Sequence, residues 1–265
     1  MTTTAWRRLG SLRTFHPRDD CAARVVCFPH AGGTATSFLS LSSWLPRHIE
    51  LVAVQYPGRQ DRRAEPAAAD LTALAAEAAA DLRSLPDRPL LLYGHSMGAL
   101  VAFEAARLVE RERGPLTGLL ASAAWPPSRD WREPDLDTVG DDAVVTELRR
   151  LGGVPEPVLR DEELLGEVVR IVRADQRLIR GYRGRPDAVL DSPITAVLGD
   201  ADPKNTVEQV RGWSRHTCAG FAVRVLSGGH FYLHDPDAGT ARLIAESLAA
   251  AVRNGAAPRL ETRTR

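Results

Sequence analysis

Short apolar runs that alternate with alanine-rich stretches constrain the fold of this 265-residue chain more than any other feature. The runs are almost continuously apolar, which is typical of strands that are covered on both faces. Strands and helices in this order predict an α/β fold with a doubly wound, mostly parallel sheet. The predicted strands are residues 24–28, 51–55, 90–93, 119–122, 194–198 and 222–226, and the predicted helices are residues 67–85, 98–113 and 237–252.

One region interrupts this alternation. From residue 127 to residue 191 the sequence shows no strand, and apolar residues recur at helical spacing after Pro126 and Pro127. The region is much longer than an ordinary crossover. We therefore expect a helical lid insertion at residues 127–191, hereafter the insertion, within a single domain that spans residues 1–265. Crossover helices packed on the sheet are the alternative. Residues 254–265 are expected to form a disordered tail.

Composition and charge argue against several classes of function. The chain has 34 basic and 34 acidic residues, so it lacks the basic field of a general nucleic-acid-binding protein. No apolar run is long enough to span a membrane, and the N-terminus does not resemble a secretory signal. Cys21, Cys27 and Cys218 predict three free thiols in a reducing cytoplasm. Since neither metal-ligand spacing nor a phosphate-binding glycine loop is present, we expect no metal and no cofactor.

A candidate nucleophile lies at residues 94–98, which read Gly-His-Ser-Met-Gly. The Gly-x-Ser-x-Gly pattern alone is weak, but here a predicted strand precedes it and a predicted helix follows. That context is the strand–turn–helix of a nucleophile elbow, which would project Ser96 from the C-terminal edge of the sheet. The alternative is a glycine-rich tight turn with an idle serine.

A serine nucleophile needs a base, and the base needs an orienting acid. His230 follows the last predicted strand after two glycines, and we favour it over its main competitor, His234. Asp202 and Asp200 both follow the strand at residues 194–198. We favour Asp202, and the alternative role for Asp200 is to cap the turn. The order Ser96, Asp202, His230 is the chain order expected of an α/β-hydrolase.

The oxyanion that forms on attack needs preorganised hydrogen-bond donors. One candidate is the backbone N–H of Met97, the residue after the proposed nucleophile. The other is the N–H of Ala31, in the glycine-rich loop that follows the strand at residues 24–28. The alternative for this loop is a plain strand-to-helix turn. His30, in the same loop, is expected to be structural or to line a pocket.

Five segments together resemble the type II thioesterases, the separate editing enzymes that accompany polyketide synthases and nonribosomal peptide synthetases. They are Cys-Phe-Pro-His-Ala-Gly-Gly at 27–33, Tyr-Pro-Gly-Arg-Gln-Asp-Arg at 56–62, Gly-His-Ser-Met-Gly at 94–98, Arg-Ala-Asp at 173–175 and Gly-Gly-His-Phe at 228–231. The resemblance covers residues 6–252. Two departures are visible: Gln60 stands where the family commonly has glutamate, and Val169 stands where a proline is frequent.

This resemblance implies an α/β-hydrolase fold with a helical lid, and hydrolysis of acyl groups from the phosphopantetheine arm of acyl or peptidyl carrier proteins. It places a catalytic triad on Ser96, Asp202 and His230 and the oxyanion donors on Met97 and Ala31. The apolar faces of the insertion are expected to line the acyl chamber. A monomeric cytoplasmic enzyme is expected, with neither a nucleic-acid nor a membrane partner.

Two other functions stay open at this point: a serine esterase or lipase-like hydrolase of another substrate class, and a non-catalytic protein that binds carrier proteins. The implied carrier partner suggests one further hypothesis. Arg59, Arg62 and Arg63 could meet the acidic surface of a carrier domain, although arginines of this kind are more often simply solvated.

Overall fold

The computed structural model of the chain describes residues 6–129 and 135–253. In this part of the chain, eight strands form a single sheet in the order β1-β2-β4-β3-β5-β6-β7-β8. Strands β3 to β8 run parallel to their neighbours, while β1 and β2 form an antiparallel edge beside β4. The strands are β1 (Arg7–Leu9), β2 (Leu12–Thr14), β3 (Ala23–Phe28), β4 (Ile49–Val54), β5 (Leu90–His95), β6 (Gly118–Ser122), β7 (Ile194–Gly199) and β8 (Phe221–Leu226).

The predicted α/β fold with a mostly parallel sheet is confirmed. All six predicted strands are present, and their ends differ from the predicted ends by two residues at most. The sequence interpretation missed β1 and β2. These strands have three residues each, which is too short to show the periodicity on which the prediction depends.

Helices cover both faces of the sheet. The three predicted helices are present as α2, α3 and α8, and α2 begins later than predicted because Asp70 caps it, accepting a hydrogen bond from the Ala73 N–H at 2.8 Å. The helices are α1 (Leu39–Trp44), α2 (Leu71–Leu82), α3 (Met97–Arg113), α4 (Asp141–Leu151), α5 (Glu156–Leu159), α6 (Glu162–Gly181), α7 (Val207–Val210) and α8 (Thr240–Arg253).

Two hydrophobic cores lie on opposite faces of the sheet. One packs α2 and α3 against the strand residues that point to that face, including Val26 and Leu92. The other packs α1 and α8 against the opposite face, which includes Val25 and Leu91. Successive strand residues therefore enter different cores, and both must be apolar. This explains the continuous apolar runs from which the fold was predicted.

Between β6 and β7 the chain forms a short 3-10 helix (Leu136–Thr138), α4, α5 and α6. Within residues 127–129 and 135–191, which the structure describes, the insertion contains no strand. Its helices share a small core of their own, formed by Val144, Val145, Val169 and Val172. That the insertion opens and closes as a lid, within a single domain, stays a prediction. The predicted tail at residues 254–265 lies outside the described residues.

Candidate active site

Ser96 lies on a strained turn between β5 and α3. Its backbone has φ 54° and ψ −121°, a conformation that non-glycine residues rarely adopt. The Ser96 N–H donates to the Ser122 carbonyl oxygen at 2.8 Å, which ties the turn to β6. A Cβ atom at Gly98 would lie only 2.1 Å from the Phe28 carbonyl oxygen, so glycine is required where α3 passes the end of β3. The turn therefore has the geometry predicted for a nucleophile elbow.

His230 and Asp202 meet at the same edge of the sheet. His230 follows β8 and Asp202 follows β7, and the His230 Nδ1 lies 3.0 and 3.1 Å from the two Asp202 carboxylate oxygens. Both side chains are almost fully buried. Asp202 also accepts hydrogen bonds from the Lys204 N–H and the Asn205 side-chain amide, each at 2.8 Å. These four contacts fix the carboxylate against the imidazole.

The electrostatics keep Asp202 in its charged form. Burial by itself raises the pKa of this carboxyl, but the hydrogen bond and charge of His230 and the donors at residues 204 and 205 outweigh burial, so the pKa lies below its ordinary value. A charged Asp202 can accept the Nδ1–H of His230, which leaves Nε2 as the nitrogen that is able to take a proton.

Asp200 and His234, the alternatives to Asp202 and His230 in the sequence analysis, make other contacts. The Asp200 carboxylate accepts a hydrogen bond from the Gly228 N–H at 2.9 Å and so joins the turn after β7 to the turn after β8. His234 lies in the 3-10 helix Tyr232–His234 and stacks on Phe231, with ring centroids 5.8 Å apart. Asp202 is thus the aspartate that the structure places against His230.

Ser96, Met97, Ala31 and His230 all line one cavity of about 1020 Å³. The Met97 N–H is the first of α3 and has no partner within the helix. Among the described residues, neither this N–H nor the Ala31 N–H donates a hydrogen bond. Two residues that line the cavity with Ser96 therefore carry backbone N–H groups that are available as hydrogen-bond donors.

The insertion supplies the opposite wall of the cavity. Val168, Val172 and Ile179 of α6 contribute to it, as do Leu148 and other apolar side chains of α4 and α5. Not every apolar residue of the insertion faces the cavity: Val169 is 4% exposed and packs in the insertion's own core. A cavity with apolar walls of this size suits an extended acyl chain.

A buried hydrogen-bond network behind Ser96 was missed by the sequence interpretation. The Ser122 hydroxyl contacts the Tyr93 hydroxyl at 2.9 Å, the His95 Nδ1 at 2.8 Å and the Tyr232 hydroxyl. Burial lowers the pKa of His95 well below its ordinary value, so this imidazole is neutral. The sequence does contain part of the information needed to predict this network, because Tyr93 and Ser122 are the last residues of two predicted strands.

The hypothesis of a docking surface on three arginines is wrong for Arg59 and Arg62. Arg59 is 4% exposed and is paired with Asp175 of α6. Arg62 is 8% exposed, and its guanidinium contacts the Glu65 and Glu77 carboxylates. Buried, paired guanidinium groups are not free to meet the acidic surface of a partner. Of the three, Arg63 is exposed.

Residues 6–129 and 135–253 contain neither a candidate metal site nor a candidate membrane-spanning helix. No group of three or more His, Cys, Asp or Glu side chains in these ranges is placed to hold a metal ion. No helix in the same ranges is both long and apolar enough to cross a bilayer.

The fold, with a serine at a strained strand–helix turn and a His–Asp pair beside it, is that of an α/β-hydrolase. A family model for the thioesterase domain matches residues 23–249. The chain belongs to the thioesterase family, and its relatives include type II thioesterases of polyketide and nonribosomal peptide pathways.

Relatives of known name and structure agree with this assignment. Thioesterase PikA5 of Streptomyces venezuelae is 43% identical over 228 residues, which cover 84% of this chain and 80% of PikA5. The type II thioesterase BorB, from the borrelidin biosynthetic cluster, has 41% identity and a TM-score of 0.81, with 89% of this chain and 97% of BorB covered. YbtT, a type II thioesterase from the yersiniabactin pathway, has 29% identity and a TM-score of 0.79, with 91% and 99% covered. These similarities favour a thioesterase over the esterase and non-catalytic alternatives.

Proposed function

We propose that this chain hydrolyses acyl thioesters on the phosphopantetheine arm of acyl or peptidyl carrier proteins, and so removes aberrant or stalled acyl groups during polyketide or nonribosomal peptide biosynthesis. One observation carries the proposal: in a chain of the thioesterase family, Ser96 and the His230–Asp202 pair meet at a single large cavity with apolar walls. The pathways named for PikA5, BorB and YbtT support a carrier-bound substrate.

The reaction follows from the positions of the side chains. His230 accepts the Ser96 hydroxyl proton as Oγ attacks the thioester carbonyl carbon, and Asp202 orients the imidazole and stabilises its charged form. The Met97 and Ala31 N–H groups stabilise the oxyanion. The C–S bond then breaks, and the pantetheine thiol leaves with the proton from His230. Water that is deprotonated by His230 then attacks the carbonyl carbon of the acyl-enzyme. The bond between this carbon and Ser96 Oγ breaks, His230 returns the proton to Oγ, and the free acid leaves.

The proposal includes the setting of the enzyme. Phosphopantetheine belongs to the substrate, and no residue of this chain needs to hold a cofactor for the steps above. The enzyme acts as a monomer in the cytoplasm. The cysteines support that compartment, because Cys21, Cys27 and Cys218 are free thiols and a reducing environment keeps them so.

The test is hydrolysis of a series of acyl-carrier-protein thioesters, from short to long acyl chains, by wild type, Ser96→Ala and Ser40→Ala. Ser40 lines the same cavity but lies outside the elbow, so it is a matched control. We expect Ser96→Ala to lower kcat by at least about 10³-fold and Ser40→Ala to keep wild-type turnover. Normal turnover by Ser96→Ala would contradict the role of Ser96. Preferential hydrolysis of matched oxygen esters would contradict the substrate class.

A further inference from the structure

A buried carboxylate of the insertion contacts the loop that carries one proposed oxyanion donor. Asp175 lies on α6, and Val172 and Ile179, one turn before and after it, line the cavity. One oxygen of the Asp175 carboxylate accepts a hydrogen bond from the Gly32 N–H at 2.7 Å. Gly32 is the neighbour of Ala31 in the loop at residues 29–33. The cavity wall and this loop are therefore joined directly.

Arg59 completes the connection. Its two terminal nitrogens donate to the two Asp175 oxygens at 2.6 and 2.7 Å, and the same Nη1 donates to the Gly33 carbonyl oxygen at 3.0 Å. The Arg59 and Asp175 side chains are 5% and 1% exposed. A bidentate pair of this kind fixes orientation as well as distance. The carboxylate and the guanidinium thus hold adjacent backbone groups on the C-terminal side of Ala31.

The loop is held on the N-terminal side as well. The Tyr56 hydroxyl donates to the Pro29 carbonyl oxygen at 3.2 Å. Gly32 has φ +80°, and a Cβ atom there would lie 2.4 Å from Cγ2 of Val172, so the loop packs tightly on α6. Backbone groups on both sides of Ala31 are fixed, whereas Ala31 lines the cavity and its N–H has no partner among the described residues.

We propose that Asp175 and Arg59 are positioning residues, which fix the Ala31 N–H for the oxyanion and couple its placement to the packing of α6. Burial of an ion pair is by itself weak grounds for a stabilising role, because apolar residues stabilise equally well. However, this pair also forms hydrogen bonds with the backbone at Gly32 and Gly33, and apolar side chains could not form these bonds. Because the pair acts on an oxyanion donor, the inference rests on the proposed function.

The chain contains a matched control pair. Arg24 and Glu50 face each other across β3 and β4, with Arg24 Nη2 2.8 Å from the Glu50 carboxylate and both side chains 6% exposed. They lie near the N-terminal ends of these parallel strands, at the edge of the sheet opposite Ser96. Loss of either carboxylate leaves a buried guanidinium without its partner charge, so Glu50→Gln reproduces the structural damage of Asp175→Asn away from the site.

The experiment compares Asp175→Asn and Glu50→Gln in kcat, KM, thermal midpoint and hydrogen exchange of the amides at residues 30–33, with kcat normalised to titrated active serine. We expect Asp175→Asn to lower kcat about 10²-fold, the effect of losing one oxyanion donor, with KM changed by less than about threefold. Its loop amides should exchange faster. Glu50→Gln should lower the thermal midpoint similarly but keep kcat and loop exchange at wild-type values. Arg59→Lys, which keeps the charge but loses the bidentate geometry, should lie between them.

Two results would overturn the inference: equal kcat per active serine for Asp175→Asn and Glu50→Gln, or wild-type exchange of the loop amides in Asp175→Asn. If Asp175→Asn does not fold, kcat per active serine and exchange of the loop amides in Arg59→Lys test the inference in its place. Failure of the proposed function gives a different pattern, since wild type itself would then hydrolyse no carrier thioester. Loop exchange would still decide whether the pair positions the loop.

Discussion

The sheet and the insertion are stabilised in different ways. The central strands β3 to β7 are buried along nearly their whole length, between two cores that fill both faces. The insertion has a core of four valines, and several of its charged side chains form ion pairs at the surface. Among the described residues, its surface ion pairs include Arg150–Glu147, Arg160–Glu156, Arg177–Asp137, Arg180–Asp135 and Arg185–Asp187.

We expect this difference to separate catalysis from substrate selection. Ser96 and Asp202 follow the ends of the buried strands β5 and β7, and His230 follows the less buried edge strand β8, so the sheet sets the geometry of all three. The insertion contributes the opposite wall of the cavity from helices with few buried contacts. Regions of this kind open locally at a low cost in free energy. We therefore expect changes near the sheet to affect kcat or global stability, and changes in the insertion to affect the acyl preference.

The largest expected effect is on kcat, at the His–Asp pair. Asp202→Asn leaves the shape of the site unchanged but removes the charge that orients and stabilises the His230 imidazole, and kcat should fall about 10⁴-fold. Asp200→Asn is the matched control, because Asp200 bonds the Gly228 N–H. Steady-state kinetics on a carrier thioester measures both. A comparable loss of kcat in Asp200→Asn would contradict the assignment of Asp202.

Two leucines test the comparison of sheet and insertion. Leu92 of β5 is fully buried between strands and helices, and Leu92→Ala should lower the free energy of unfolding by about 2–5 kcal/mol. Leu148 of α4 is half-buried and lines the cavity. Leu148→Ala should cost less stability, below about 2 kcal/mol, and should shift the preferred acyl thioester toward longer or bulkier chains.

Denaturant unfolding and the acyl series measure these two effects separately. If Leu148→Ala destabilised the protein as much as Leu92→Ala and left the acyl profile unchanged, the insertion would be part of the main framework.

Sequence patterns were sufficient wherever the chemistry depends on local geometry. The strand–helix turn that holds Ser96 could be predicted because a strand, two glycines and a helix surround it within a few residues, and the position of His230 could be predicted because a glycine turn follows a strand. Asp202 was separable from Asp200 because it stands further along the turn, before a proline. The parallel sheet followed from runs that are apolar on both faces.

Contacts between distant parts of the chain could not be found in this way. Arg59 and Asp175 are 116 residues apart, and neither segment has a pattern that points to the other. Arg59 consequently resembled a solvated docking residue, although it is buried. The Tyr93–Ser122–Tyr232 network was missed for the same reason: it joins residues far apart in the chain. It forms only because the fold places β5, β6 and the turn after β8 side by side.

A smaller effect is expected on the pH dependence of stability, at the boundary between sheet and insertion. Burial and nearby positive groups lower the pKa of His30 to about 3. Between this value and the ordinary histidine value of about 6.5, the unfolded chain binds a proton that the folded chain does not. The free energy of unfolding should therefore fall as the pH decreases below about 6.5, by at most roughly 1.4 kcal/mol per pH unit from this group.

The variant His30→Gln removes this titrating group and should give a shallower slope between about pH 6.5 and 4.5. Denaturant unfolding at several pH values measures it. His48→Gln, at an exposed histidine, is the control and should keep the wild-type slope. An unchanged slope in His30→Gln would show that other groups cause the acid sensitivity.

The smallest effect is expected at the surface of the insertion. Arg160 and Glu156 form an i,i+4 pair at 2.9 Å, but their side chains are 77% and 64% exposed. Water and salt screen such a pair, and ordering two long side chains offsets most of the attraction. Arg160→Ala should therefore leave both the thermal midpoint and the acyl profile within experimental error of wild type. A clear fall in the midpoint, abolished by high salt, would show that surface charge stabilises the insertion, and that its small core of valines is not its main source of stability.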